Sequence, residues 1–128
     1  MTTFTEGRHT GEHVVSEANG ARSRETGFLA AGHNLPAGTV VAKLDDEFVP
    51  FDPTATDGAE PPEPTAAATA YGVLYGATDS RDGAAKCVVH SRDCEVHGEA
   101  LTWPDAITDA QEATALEAME ARGVIVRD

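Results

Sequence analysis

Cations, aromatic residues and cysteines are all scarce in this 128-residue chain. Nine Lys and Arg stand against 22 Asp and Glu, a formal net charge of −13. Duplex nucleic acid is bound through clustered cations that neutralise phosphates, so this balance argues against a nucleic-acid partner. It argues equally against an anionic membrane surface. No run approaches the roughly 18 apolar residues that cross a bilayer as a helix. The stretch Met1-Thr2-Thr3-Phe4-Thr5-Glu6 lacks the basic and apolar regions of a secretory signal, so the chain is expected to be intracellular at synthesis. Two cysteines, Cys87 and Cys94, make no disulfide framework. Aromatic residues are 5% of the chain, so the core is expected to rest on Val, Leu, Ile and Ala.

Catalytic signatures are missing too. There is no Gly-x-Ser-x-Gly, phosphate loop or dinucleotide motif. Ser80 and Ser91 stand near His90 in sequence, without a pattern that would orient a triad. No enzyme, no catalytic residue and no cofactor are expected.

What is present reads as one β-rich domain behind an arm. Residues 1–26 sustain no period of 2 or 3.6. Phe4, Val14 and Val15 are the sizeable apolar side chains there besides Met1. The segment has a net charge of −1, leaving −12 on the body. It is expected to be a flexible arm that docks on another protein. His9 and His13 share a spacing of four, but the surrounding Thr and Gly argue against a helix, so both are expected to be solvated.

Residues 27–128 follow as a single domain. Gly27–Ala30 opens a strand, Leu35-Pro36-Ala37-Gly38 is a turn, and Thr39–Leu44 is β-branched. Asp45-Asp46 reverses the chain into Glu47–Phe51. Alternation sends Phe48 and Pro50 one way and Val49 and Phe51 the other. Pro50 marks an edge or a strand end. Residues 52–69 form an acidic, Pro-rich loop; across 44–80 there are eight acids and no Lys or Arg. Tyr71–Ala77 is a buried strand, and 86–97 reads as a hairpin turning at Ser91-Arg92-Asp93. A helix is expected over 109–122. Thr108 and Gln111 form a capping-box pattern, and Gly123 stands at the C-cap. Its apolar face holds Ala110, Ala113, Ala115, Leu116 and Met119. Val124-Ile125-Val126 returns as a terminal strand.

Cys87, His90, Cys94 and His97 resemble a zinc set in residue type. In a hairpin, alternation puts Cys87 opposite in face to His90, and Cys94 opposite in face to His97. The expected reading is two small buried cysteines, two histidines on a polar face and no metal. The alternative is a small β-rich metal-binding or regulatory module built on this hairpin.

The run Ala70-Tyr71-Gly72-Val73-Leu74-Tyr75-Gly76-Ala77-Thr78-Asp79, the hairpin pattern after it, and the step Leu101-Thr102-Trp103-Pro104-Asp105-Ala106 into a helix resemble the lambda-type bacteriophage head decoration protein family. The resemblance covers about Gly27 to Arg127. It implies a mainly β, β-clip-like small α+β fold. It implies a structural cementing protein that sits as homotrimers on the outer surface of the expanded head and clamps the major capsid protein lattice. It places the chain on the virion, after assembly in the host cytoplasm. It casts the N-terminal segment, with Phe4, Val14 and Val15, as a capsid-binding arm. Trp103, Pro104, Leu116 and Met119 take structural roles. The acidic segment Ala59–Thr69 departs from the family pattern as an insertion.

Overall fold

Residues 40–42 and 72–74 are buried on both faces of their strands. Successive strand residues face opposite ways, so each of these strands needs cover on two sides. The fold supplies it with a barrel whose wall separates an inner core from an outer one.

The computed structural model describes residues 9–59 and 62–127. In chain order the strands are β1 (Val14–Glu17), β2 (Arg24–Leu29), β3 (Asn34–Leu35), β4 (Val40–Leu44), β5 (Glu47–Pro50), β6 (Gly72–Leu74), β7 (Thr78–Asp79), β8 (Ala85–His90), β9 (Cys94–His97) and β10 (Val124–Arg127). The α-helix is α1 (Asp109–Ala121). The barrel closes in the order β2-β5-β4-β6-β8. Its longest seam pairs β2 with β8, from Arg24 opposite His90 to Leu29 opposite Ala85. Its shortest is parallel, where Leu29 meets Phe48. The β4–β5 hairpin turns on Asp45 and Asp46, at φ of 51° and 67°. Two consecutive positive φ values suit a tight hairpin, and Asp tolerates them.

Inside the barrel lie Leu29, Val41, Phe48, Leu74, Cys87 and Val89. The outer core takes the neighbours from the other face: Val40, Phe51 and Val73, with Cys94, Val96, Met119 and Val124. The split between Phe48 and Phe51 follows the expected alternation. A second sheet, ordered β1-β9-β10, and α1 cover that outer core. β10 runs parallel to β9, and β1 antiparallel to it.

Two inward glycines make room inside. A Cβ on Gly27 would lie 2.7 Å from Phe48 Cε2, and one on Gly72 would strike the carbonyl oxygen of His90. α1 forms as its ends dictate. Gln111 N donates to Thr108 Oγ1 at 3.1 Å, and Thr108 N donates to Gln111 Oε1 at 3.0 Å. Gly123, at φ 90°, ends the helix where the chain must turn into β10. Ala115 and Met119 are buried, whereas Ala110 and Ala113 are exposed, so the packed face is narrower than expected.

Three expectations change. First, β8 and β9 are not a hairpin. They belong to different sheets, and Cys94 sits opposite Glu17 and Val124 instead of Val89. The cause is the corner at buried Ser91 and at Asp93, φ 50°, which turns the chain out of the barrel. Second, residues 9–26 are not a free arm. β1 pairs with β9, Arg24 begins β2, and His13 and Ser23 are buried. Third, Tyr71–Ala77 shortens to Gly72–Leu74. Among its described residues the acidic loop has a bridge between Thr56 and Pro64 and a 3-10 turn at Ala66–Ala68.

Overpacking a filled interior typically costs about 1–3 kcal/mol. Gly72→Ala is expected to lose that much, and more than Gly27→Ala, because a packed ring can tilt and a strand carbonyl cannot. Urea unfolding midpoints of the two variants check this order.

Candidate functional site

The described part of the N-terminal segment reaches the body through a buried polar junction. Gly11 N donates to Tyr75 O at 2.9 Å, and His97 N donates to His13 O at 2.7 Å. These bonds hold the residues ahead of β1 against Tyr75, just past β6, and against β9. His13, 1% exposed, then turns its ring onto His90, which is fully buried. His13 Nε2 lies 3.0 Å from His90 Nδ1, and His90 Nε2 lies 2.8 Å from Glu17 Oε2. Glu17 also accepts from Ser23 Oγ at 2.6 Å and from Arg24 Nη2 at 2.7 Å. Arg24 stacks over the Tyr75 ring at 4.3 Å.

Protons are ordered along this chain. Hydrogen bonds from Arg24 and Ser23 pull the Glu17 carboxyl down to about 2, so it is an ionised acceptor at neutral pH. His90 must therefore donate from Nε2. Neutral His90 then accepts at Nδ1, and His13 donates from Nε2. That leaves the His13 Nδ1 lone pair, which is buried and has no partner among the described residues. Burial, reinforced by the His90 ring, lowers His13 to about 4 against the pull of Glu17. Burial also lowers His90, with Glu17 opposing. The Glu17–His90–His13 relay has the form of an acid–base chain, but its terminal nitrogen is sealed from solvent. It is suited to locking β1 onto the barrel.

This corrects two expectations. His13 is buried instead of solvated, and His90 lies in this junction instead of on a polar face. Cys87 lies in the barrel interior and Cys94 in the outer core, so the four Cys and His residues are dispersed by the two sheets. Burial raises both thiols to about 11.

The residues with interface character lie elsewhere. β1 pairs only with β9 among the described strands, so its other edge is open. Val15 on that strand is 52% exposed, as is Phe28 on β2, and Val14 is half-buried. Phe4 lies outside the described residues. Trp103 packs on the outer core, with its ring edge-on to Phe51 at 6.4 Å. Trp103 and Pro104 also line a cleft of about 240 Å³ with Leu35 and Pro50. Leu116 packs against the outer core, and Met119 is fully buried in it. A second cleft, of about 250 Å³, runs between α1 and Phe51, Pro53 and Ala68–Ala70.

A family model, Bacteriophage lambda head decoration protein D, matches residues 3–124. The chain belongs to this family. No individual curated protein matches it. The match takes in β1, the histidine relay, the whole barrel and α1. As a phage head decoration protein the chain has a structural role, on the virion capsid.

Acid should loosen this decoration protein at the junction. A folded-state His13 value of about 4, against 6.5 unfolded, means that the unfolded chain binds more protons between those pH values. Stability should fall as pH drops from 6.5 towards 4, by up to about 3 kcal/mol from this group. Glu17 extends the loss as pH falls from 4.5 towards 2. Urea unfolding of wild type and His13→Gln across this range tests the sign. The variant should be weaker at pH 7 and flatter between pH 6.5 and 4.

Proposed function

We propose that this chain binds the outer surface of the expanded phage head as homotrimers and ties neighbouring major capsid protein subunits together. The observation that carries this reading is the family match over residues 3–124. Charge agrees with it. A chain at −13 favours solubility at the high copy number of a coat component, and an outer-surface protein has no need to meet packaged DNA.

The capsid contact is proposed to run through the residues ahead of His9, with Phe4 among them, and through the open edge of β1. An open edge presents unpaired N–H and C=O groups, which accept an added strand from a partner. Val15 supplies apolar contact outward, and Val14 ties the same strand to the body. The major capsid protein and two further copies of this chain are the proposed partners, with neither nucleic acid nor membrane. Assembly is placed in the host cytoplasm. Trp103, Pro104, Leu116 and Met119 are proposed to serve the body's packing.

Purified protein should bind expanded, empty heads and not unexpanded ones; equal binding to both would overturn the reading. Val15→Asp should leave the urea midpoint almost unchanged, because an exposed edge residue contributes within about 0.5 kcal/mol. It should weaken head binding clearly. Deleting residues 2–8 should spare every described strand and reduce binding. Deleting 2–20 removes β1 and His13 and should destabilise the body as well. Circular dichroism melts beside head-sedimentation assays separate these effects.

A further inference from the structure

Copies of a chain at −13 repel one another, so a ring of three needs a local reason to close. The scarce cations are not spread evenly. Three of the nine gather around Tyr71 at one end of the barrel. Lys43 Nζ lies 2.7 Å from Glu25 Oε2, and Arg92 Nη1 lies 3.6 Å from Glu25 Oε1. Tyr71 Oη donates to Glu25 Oε1 at 2.7 Å. The Arg122 guanidinium stacks on the Tyr71 ring at 3.7 Å. The Glu25 carboxylate thus faces two cations, and a third, Arg122, lies on the ring of its Tyr71 partner. Arg122 is exposed and forms no ion pair among the described residues, so its N–H edge is open to a partner. Lys43 and Arg92 keep 32% and 43% of their side-chain surface.

The root of the acidic loop lies beside the far end of α1. Pro53 and Ala110 line one cleft, which puts the root of the acidic loop beside the first turn of the helix. Arg122 follows its last turn. Thirteen residues of helix separate the two ends by roughly 18 Å. Asp52, Asp57 and Glu63 of that loop are all exposed. Asp57 Oδ1 accepts from Ala59 N at 2.9 Å and from Glu63 N at 3.2 Å, which ties these described residues together.

We propose that the Lys43/Arg92/Arg122 patch of one copy docks on Asp52, Asp57 and Glu63 of the next, so that the trimer closes head to tail. This rests on the trimeric reading above. Two different surfaces in a directional contact can close a ring. The patch offers two guanidinium groups and an ammonium on an otherwise anionic body, and the loop offers carboxylates on a segment without cations. Complementary charge of this kind sets register and suppresses wrong contacts. The acidic loop, otherwise a solvated excursion, becomes the part of the chain that selects its own neighbour.

The test is a charge swap in the full-length chain, read as occupancy of expanded heads. Arg122→Glu should lower occupancy by about tenfold at limiting protein. Arg122→Glu combined with Glu63→Lys should recover most of the loss. Arg122→Gln keeps the length of the side chain without its charge, and should fall between wild type and Arg122→Glu. It also serves if the reversed variant fails to fold by circular dichroism. Unchanged occupancy for Arg122→Gln and Arg122→Glu would overturn the proposal. So would a double variant as defective as Arg122→Glu, the result expected if the patch meets the capsid protein instead. A reconstruction of wild-type decorated heads separates the two readings. Isolated monomers would overturn the trimer itself, whereas trimers with Arg122 turned away from the neighbouring loop would overturn only this contact.

Discussion

The need to cover both faces of β4 and β6 governs this fold. Val40 and Val41 are adjacent and fully buried, as are Val73 and Leu74. Neighbouring residues on a strand cannot share a core, so two cores must exist. The barrel makes the inner one from its own wall. The outer one exists only because β9, β10 and α1 close over the same strands. Chain order then follows. Segments after Ser91 must leave the barrel to become the cover, and the corner at Ser91–Asp93 is where they do so.

The interior of a five-stranded barrel is narrow, and Phe48 is its largest buried side chain. Gly27 and Gly72 are what that ring and the adjoining strand leave room for. The outer cover has a different difficulty. β1 contributes few apolar contacts, since Val15 and Ser16 are exposed. It is held instead by its ladder with β9 and by the relay from Glu17 through His90 to His13. A buried polar chain strengthens a junction only when its members are paired, because a lone buried donor or acceptor costs about 1–3 kcal/mol. Here the unpaired atom is the His13 Nδ1 lone pair. The junction is therefore directional and specific, and it is vulnerable to the proton that would occupy that nitrogen.

The elements legible in the sequence were those set by near neighbours. Thr108 and Gln111 declared the start of α1, Asp45-Asp46 the hairpin, and alternation the opposite destinations of Phe48 and Phe51. Contacts between distant residues were not legible. His13 and His90 are 77 positions apart, and Glu17 and His90 are 73 apart. Nothing local in the segment before Gly27 signals a partner for either. The short apolar pair Val14-Val15 was the one trace of β1. The supposed 86–97 hairpin failed for the same reason. Its two halves are captured by β2 and β1, and local spacing cannot show a strand leaving one sheet for another. The Trp103-Pro104 junction was visible through family resemblance, not through any spacing rule.

Anchoring the N-terminal segment to the body changes what that segment can do. A free arm would lose conformational entropy of about 1 kcal/mol or more for each residue ordered on binding. Strand β1 is already ordered by folding, so the docking proposed for its open edge would not bear that cost. Under the proposed docking, the buried histidines would bear on assembly without touching a partner. They hold one sheet edge in a fixed orientation relative to the barrel, the acidic loop and the basic patch around Tyr71. On an acidic chain with nine Lys and Arg, a rigid arrangement of those surfaces gives each proposed contact a defined direction.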